Sequence, residues 1–148
     1  MQEKQTDDLM FRVVLDTNVL ISAIISDGKP RDLLRKGILK EFRIVTSDLL
    51  LRELGAVLRR PKFKTDEDEI HRIILALMNA AEVVEVVSTF NLVKEDPKDD
   101  MVVETAYDGK ADFVVSGDSH LLVLKSFREI KIVGVKQMLI RIEGKQRK

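Results

Sequence analysis

Apolar and polar positions along this chain follow two different periods, and the two alternate. Short, nearly continuous apolar runs read as five strands: "RVVL" (12–15), "FRIVT" (42–46), "AEVVEVV" (81–87), "DFVVS" (112–116) and "IKIVGV" (130–135). Between them lie segments with helical spacing. "VLISAII" (19–25) reads as a short helix that ends at the turn "DGKP", and Pro30 suits the first turn of a second helix, to about Leu39. Ser47 is an N-cap for "DLLLRELGAVLRR", which Pro61 stops. Thr65 and Asp68 form a capping-box pattern. They precede Ile70, Ile73, Ile74, Leu77 and Met78, which fall on one helical face. "KEDPKDD" reads as a turn leading into a helix from about Asp99 to Tyr107, "SHLLVL" as a short helix and "KQMLIRI" as the last one.

Strands that alternate with helices imply parallel pairing with helices on both faces. The expected fold is therefore a three-layer α/β/α sandwich around a mainly parallel sheet of about five strands. Runs apolar at every position fit central strands covered on both sides. With 148 residues and no dividing linker or repeat, one domain is expected over 1–148. Its core spans about 12–142, with a polar N-terminal extension (1–11) and a basic tail (143–148).

Composition narrows the chemistry. There are no cysteines and only two histidines, which excludes disulfides and thiolate metal sites and disfavours zinc. A metal here would sit among carboxylates, as magnesium and manganese prefer. Lysines and arginines number 25, as do aspartates and glutamates, so no overall field attracts nucleic acid. No apolar run reaches membrane-spanning length and the N-terminus lacks an apolar signal core, so a cytoplasmic protein is expected, without membrane contact.

The acids then stand out by position. Ligands of open α/β sheets bind at the carboxyl ends of strands. Asp16 ends the first strand and Asp118 follows the fourth. Either alone could be a helix cap. Glu53 borders the apolar stripe of Leu50, Leu54, Val57 and Leu58, where solubility alone would not place it, although an ion pair with a nearby cation is the alternative. Asp99 starts a helix on the side of Val102, Val103 and Ala106, where capping would favour an acid anyway. Asp100 is about a hundred degrees around and should face outward. Four carboxylates at one edge would repel one another unless a cation neutralised them. A metal pair roughly 3.5–4 Å apart is the usual apparatus for in-line attack on a phosphodiester.

"VVLDTNVLISA", "SDLLLREL", "EDPKDDMVVETA" and "ADFVVSGDSHLL" together resemble the PIN-domain nucleases, over about residues 12 to 142. The likeness is greatest to the small toxin components of prokaryotic toxin–antitoxin pairs. The resemblance implies a metal-dependent endoribonuclease with Asp16, Glu53, Asp99 and Asp118 as catalytic acids on one or two magnesium or manganese ions. "KDD" leaves Asp100 open as an alternative or auxiliary ligand. Thr17 and Asn18 follow the first acid, and Asn18 would steady it or a metal-held water. Ser116 would hydrogen-bond the site. The resemblance further implies an RNA substrate, an antitoxin partner and a homodimer. Arg52, Arg59, Arg60 and Lys62, close to Glu53 in sequence, are candidate RNA contacts. His120 reads as a surface residue at a helix start, and His71 as structural.

Two other readings remain at this level. One is an RNA- or partner-binding module without turnover. The other is a phosphatase of the haloacid-dehalogenase type, which needs a second Asp where Asn18 stands.

Overall fold

A computed structural model of the chain describes residues 10–92 and 97–146. Strands β1 (Arg12–Leu15), β2 (Arg43–Ser47), β3 (Glu82–Val84), β4 (Phe113–Val115), β5 (Ser126–Phe127) and β6 (Ile130–Val133) form one sheet in the order β3-β2-β1-β4-β6-β5. The helices are α1 (Thr17–Ile25), α2 (Lys29–Ile38), α3 (Asp48–Leu58), α4 (Glu67–Ala80), α5 (Pro97–Asp108), α6 (Ser119–Leu122) and α7 (Val135–Gln146). All pairings are parallel except that of β5 with β6. The fold is the three-layer α/β/α sandwich expected.

Period-two alternation distributes the strand side chains between two cores. Val13, Leu15, Ile44, Phe113 and Val115 meet Leu33, Leu54, Leu58, Ile70 and Met138 on one face. Val14, Val45, Val114 and Ile132 meet Val102, Val103, Ala106 and Leu121 on the other. The first core thus lies under α2, α3, α4 and α7, and the second under α5 and α6. Full burial of a residue such as Val14 or Leu54 stabilises the fold by about 1.5–3 kcal/mol relative to exposure.

The order of the sheet decides where the site lies. β1 is central, between β2 and β4, and the register pairs Leu15 with Val115. The next residues along, Asp16 and Ser116, therefore leave the carboxyl edge side by side.

Several local expectations are corrected. The sheet has a sixth strand, β5, paired with β6 through Phe127 and Ile130. β3 is only three residues long, because beyond Val84 the backbone turns its N–H groups to acids of α5. The cap of α4 is Asp66, whose Oδ1 accepts from the Glu69 N–H at 2.8 Å. Thr65 instead donates its hydroxyl to the Phe63 carbonyl. α5 begins at Pro97, two residues earlier than expected, and α7 runs to Gln146, so the start of the basic tail is helical. His71 is exposed rather than packed. Residues 94–96 of the expected turn lie outside the described residues, as do 1–9 of the N-terminal extension. No described helix is long and apolar enough to cross a membrane.

Candidate active site

Asp16 is buried where β1 becomes α1. Its Oδ2 accepts a hydrogen bond of 2.7 Å from the Ser116 hydroxyl at the end of β4. The same Ser116 oxygen accepts the Asp118 N–H at 3.0 Å. The backbone donor thus fixes the sense of the chain: Asp118 N–H to Ser116, then Ser116 O–H to Asp16. One hydroxyl thereby sets the position of two acids from neighbouring strands. Asp118 is itself the cap of α6 and accepts from the His120 N–H at 2.7 Å.

The helices deliver the other two acids. Ser47 caps α3 by accepting from the Leu50 N–H. The Thr105 hydroxyl donates to the Met101 carbonyl, so the 2.8 Å contact between Ser47 and Thr105 has Ser47 as donor. This buried bond ties the start of α3 to the middle of α5. Glu53 of α3 and Asp99 of α5 then line the same cleft as Asp16 and Asp118, with Thr17 and Asn18. The cleft measures about 190 Å³.

Burial raises the Asp16 pKa above its ordinary 3.8, the hydrogen bond from Ser116 opposes this, and the Asp118 charge adds to it. The N–H groups of Thr17 and Asn18 also oppose it electrostatically, although neither closes a capping hydrogen bond. Ligand atoms of Asp99, Asp118 and His120 lie within 4.8 Å of one another. This is the spacing from which a divalent ion could be held, and hard carboxylate oxygens are the donors that magnesium and manganese prefer. Asp99 and Asp118 therefore fit such an ion, with the His120 imidazole as a third, nitrogen donor.

Other candidates lie elsewhere. Asp100 does not line the cleft and is not turned outward. It is buried and accepts the Leu92 N–H at 3.1 Å. Of the four cations, only Arg60 lines the cleft. Arg59 pairs with Glu67 at 2.7 Å, Arg52 lies near Asp48 beside a separate groove at Val83 and Val84, and Lys62 stacks on Phe63. Closeness to Glu53 in sequence is a poor guide, because successive helical residues point in different directions. The Asn18 side chain makes no hydrogen bond with a described residue, Asp16 included. His120 joins Asp99 and Asp118 in a way that spacing could not show, since it depends on α5 meeting α6.

A mainly parallel α/β/α sandwich with acids converging where its central strands end is the architecture of the PIN-domain nucleases. Residues 12–120 match the model of the PIN domain, and the chain belongs to the PIN-domain family. It is 30% identical over 128 residues to the uncharacterized protein MJ1680 of Methanocaldococcus jannaschii, covering 82% of this chain and 80% of that one. Among solved structures, it resembles PAE2754 from Pyrobaculum aerophilum with a TM-score of 0.62 at 15% identity, over 92% of this chain and 91% of the other. It also resembles VapBC2 from Rickettsia felis, solved bound to a DNA fragment from their promoter, with a TM-score of 0.58 at 14% identity. That match covers 84% of this chain and 98% of the other. The family assignment displaces the phosphatase reading.

Proposed function

We propose that this chain is a magnesium- or manganese-dependent endoribonuclease and serves as the toxin of a toxin–antitoxin pair. The observation that carries this reading is the convergence of Asp16, Glu53, Asp99 and Asp118, from two strands and two helices, on one cleft. One or two bound ions would supply the Lewis acidity that lowers the pKa of water and offsets charge on the phosphate.

The chain's own residues do the rest. Asp99, Asp118 and His120 would hold the ion, with Asp16 and Glu53 lining the same cleft and Asp100 outside it. Ser116 donates to the Asp16 carboxylate and accepts the Asp118 backbone N–H, so one hydroxyl positions both residues. Asn18 offers an amide to substrate or water at the rim. Arg60 is the cation placed to meet an RNA phosphate. An antitoxin protein covering the cleft would hold the activity in check, and the chain would act as a homodimer. The fold shared with VapBC2 supports the pairing, as does the resemblance to small toxin components.

The test is incubation with mixed RNA substrates in magnesium, manganese or chelator, beside Asp16→Asn. Cleavage that needs the metal and is lost in the variant is expected. No cleavage, together with no heat of manganese binding, would remove both the nuclease and its metal site.

A further inference from the structure

A second groove adjoins the acid cleft. It measures about 540 Å³ and shares Asn18 and Asp118 with the cleft. Its walls are Val19, Pro30, Leu122 and Val135, drawn from α1, α2, α6 and α7. Ser22 and the exposed Asn18 add polar groups at its edge, and the Asn18 amide makes no hydrogen bond within the described chain. Gly117 and Gly134 leave the floor without side chains.

We propose that this groove seats a nucleobase of the RNA, that of the nucleotide adjoining the phosphate that an ion beside Asp118 would hold. The proposal rests on the nuclease reading of the cleft. A nucleobase has apolar faces and a hydrogen-bonding edge, and the groove offers apolar walls with an amide and a hydroxyl at one side. The groove also starts at an acid that would face the scissile phosphate, so a base joined to that phosphate by one sugar can reach it. Electrostatics alone is a poor source of affinity here. The chain has no net charge, and Arg60 is the one candidate RNA cation that lines the acid cleft. Contacts to a base would supply binding that charge does not, and would make cleavage selective for the nucleotide in the groove.

Gly117 gives a clean probe. A Cβ built there meets no atom within 4 Å, and its φ lies outside the left-handed region. Gly117 lines the groove, so Gly117→Ala adds a methyl there in open space and Gly117→Val a bulkier group at the same point. Methyl-labelled protein with magnesium would be titrated with each of the four nucleoside 5′-monophosphates, with ribose 5-phosphate as control. Saturable shifts at the Val19, Leu122 and Val135 methyls, with contacts to base protons, are expected for at least one nucleotide. Gly117→Val should weaken that binding about tenfold or more, with a smaller loss for Gly117→Ala and magnesium affinity unchanged by calorimetry.

Equal shifts from ribose 5-phosphate, or no groove shifts with any nucleotide, would overturn the proposal. The second result would leave the groove to a protein segment. RNA cleavage without groove shifts would discard the groove and keep the nuclease. Groove shifts without cleavage of any RNA would keep a nucleotide site and discard the nuclease.

Discussion

Helix α5 carries acids in two different surroundings. Asp99 lines the cleft with Asp16, Glu53 and Asp118. Asp100, Glu104 and Asp108, one residue around and then every fourth, accept hydrogen bonds from the segment before the helix. Leu92 N–H goes to Asp100, Phe90 N–H to Glu104, and Ser88 N–H to Asp108 at 2.8 Å. Four helical residues rise about 6 Å, close to the roughly 6.6 Å of two extended ones, so alternate N–H groups meet successive turns. Acids of one type thus do two jobs. In the ladder, each acid accepts a backbone N–H and pins a strap. In the cleft, Asp99 and Asp118 bring ligand atoms within 4.8 Å of each other and of His120, an arrangement suited to a cation.

The titration directions do not follow this division. Asp108 is opposed by burial, but the Ser88 hydroxyl and the Ser88 and Val87 N–H groups outweigh it and lower its pKa below 3.8. Its contribution to stability is present above that ordinary value and is lost as pH falls through the lowered one. Asp16 behaves in the opposite sense. Its raised pKa favours the protonated folded state, so that contribution is present below 3.8 and is lost as pH rises through the raised value. Glu104 follows Asp16 in direction, because burial and the Asp100 and Asp108 charges exceed the effect of its bond from Phe90 N–H.

The largest expected effect separates the neighbours Asp99 and Asp100. Asp99→Asn should lower RNA cleavage by about a hundredfold or more, whereas Asp100→Asn should stay within about threefold, measured as kcat/KM in manganese. Equal losses would dissolve the distinction between cleft and ladder. Asp108→Ala removes three hydrogen bonds and should cost about 2 kcal/mol at pH 7 by denaturant titration. That cost should shrink as pH falls through the lowered Asp108 pKa, and a loss independent of pH would argue that the carboxylate charge is irrelevant there. Asp16→Asn should do the reverse of a core mutation. It should abolish cleavage yet stabilise the metal-free chain at pH 7 by roughly 1 kcal/mol, seen as a melting point higher by about 2–4 °C. A lower melting point would show that Asp16 supports the fold as well as the site. The smallest effect concerns the cations. Arg60→Gln should raise KM for RNA a few-fold and flatten its salt dependence, while Arg59→Gln should leave both alone.

Much of this is legible in the amino-acid sequence, for identifiable reasons. Strand identity and the carboxyl-edge position of Asp16 and Asp118 follow from period and order alone. Helical phase places Asp99 and Asp100 on different sides of the helix, but the outward direction expected of Asp100 is wrong. It cannot show that Asp100 is buried, because the strap that covers it comes from outside the helix. β5 escapes for a related reason. The turn joining it to β6 uses Arg128 and Glu129, with φ of 47° and 74°, and lacks the Asn or Gly that usually marks such a hairpin. The Arg128 guanidinium lies 5.1 Å from the Phe90 ring and 5.3 Å from that of Tyr107, contacts across the sequence that hold the strained turn. The cap of α4 falls on Asp66 rather than Thr65, because both carry a suitable acceptor and only geometry chooses between them.

The most direct test of the central claim is manganese binding, by calorimetry, to the wild type and to Asp99→Asn and Asp100→Asn. The account predicts binding to the wild type and to Asp100→Asn with similar affinity, and its loss in Asp99→Asn. Binding that survives Asp99→Asn but fails in Asp100→Asn would place the ion on the ladder side of α5 and contradict the site described above.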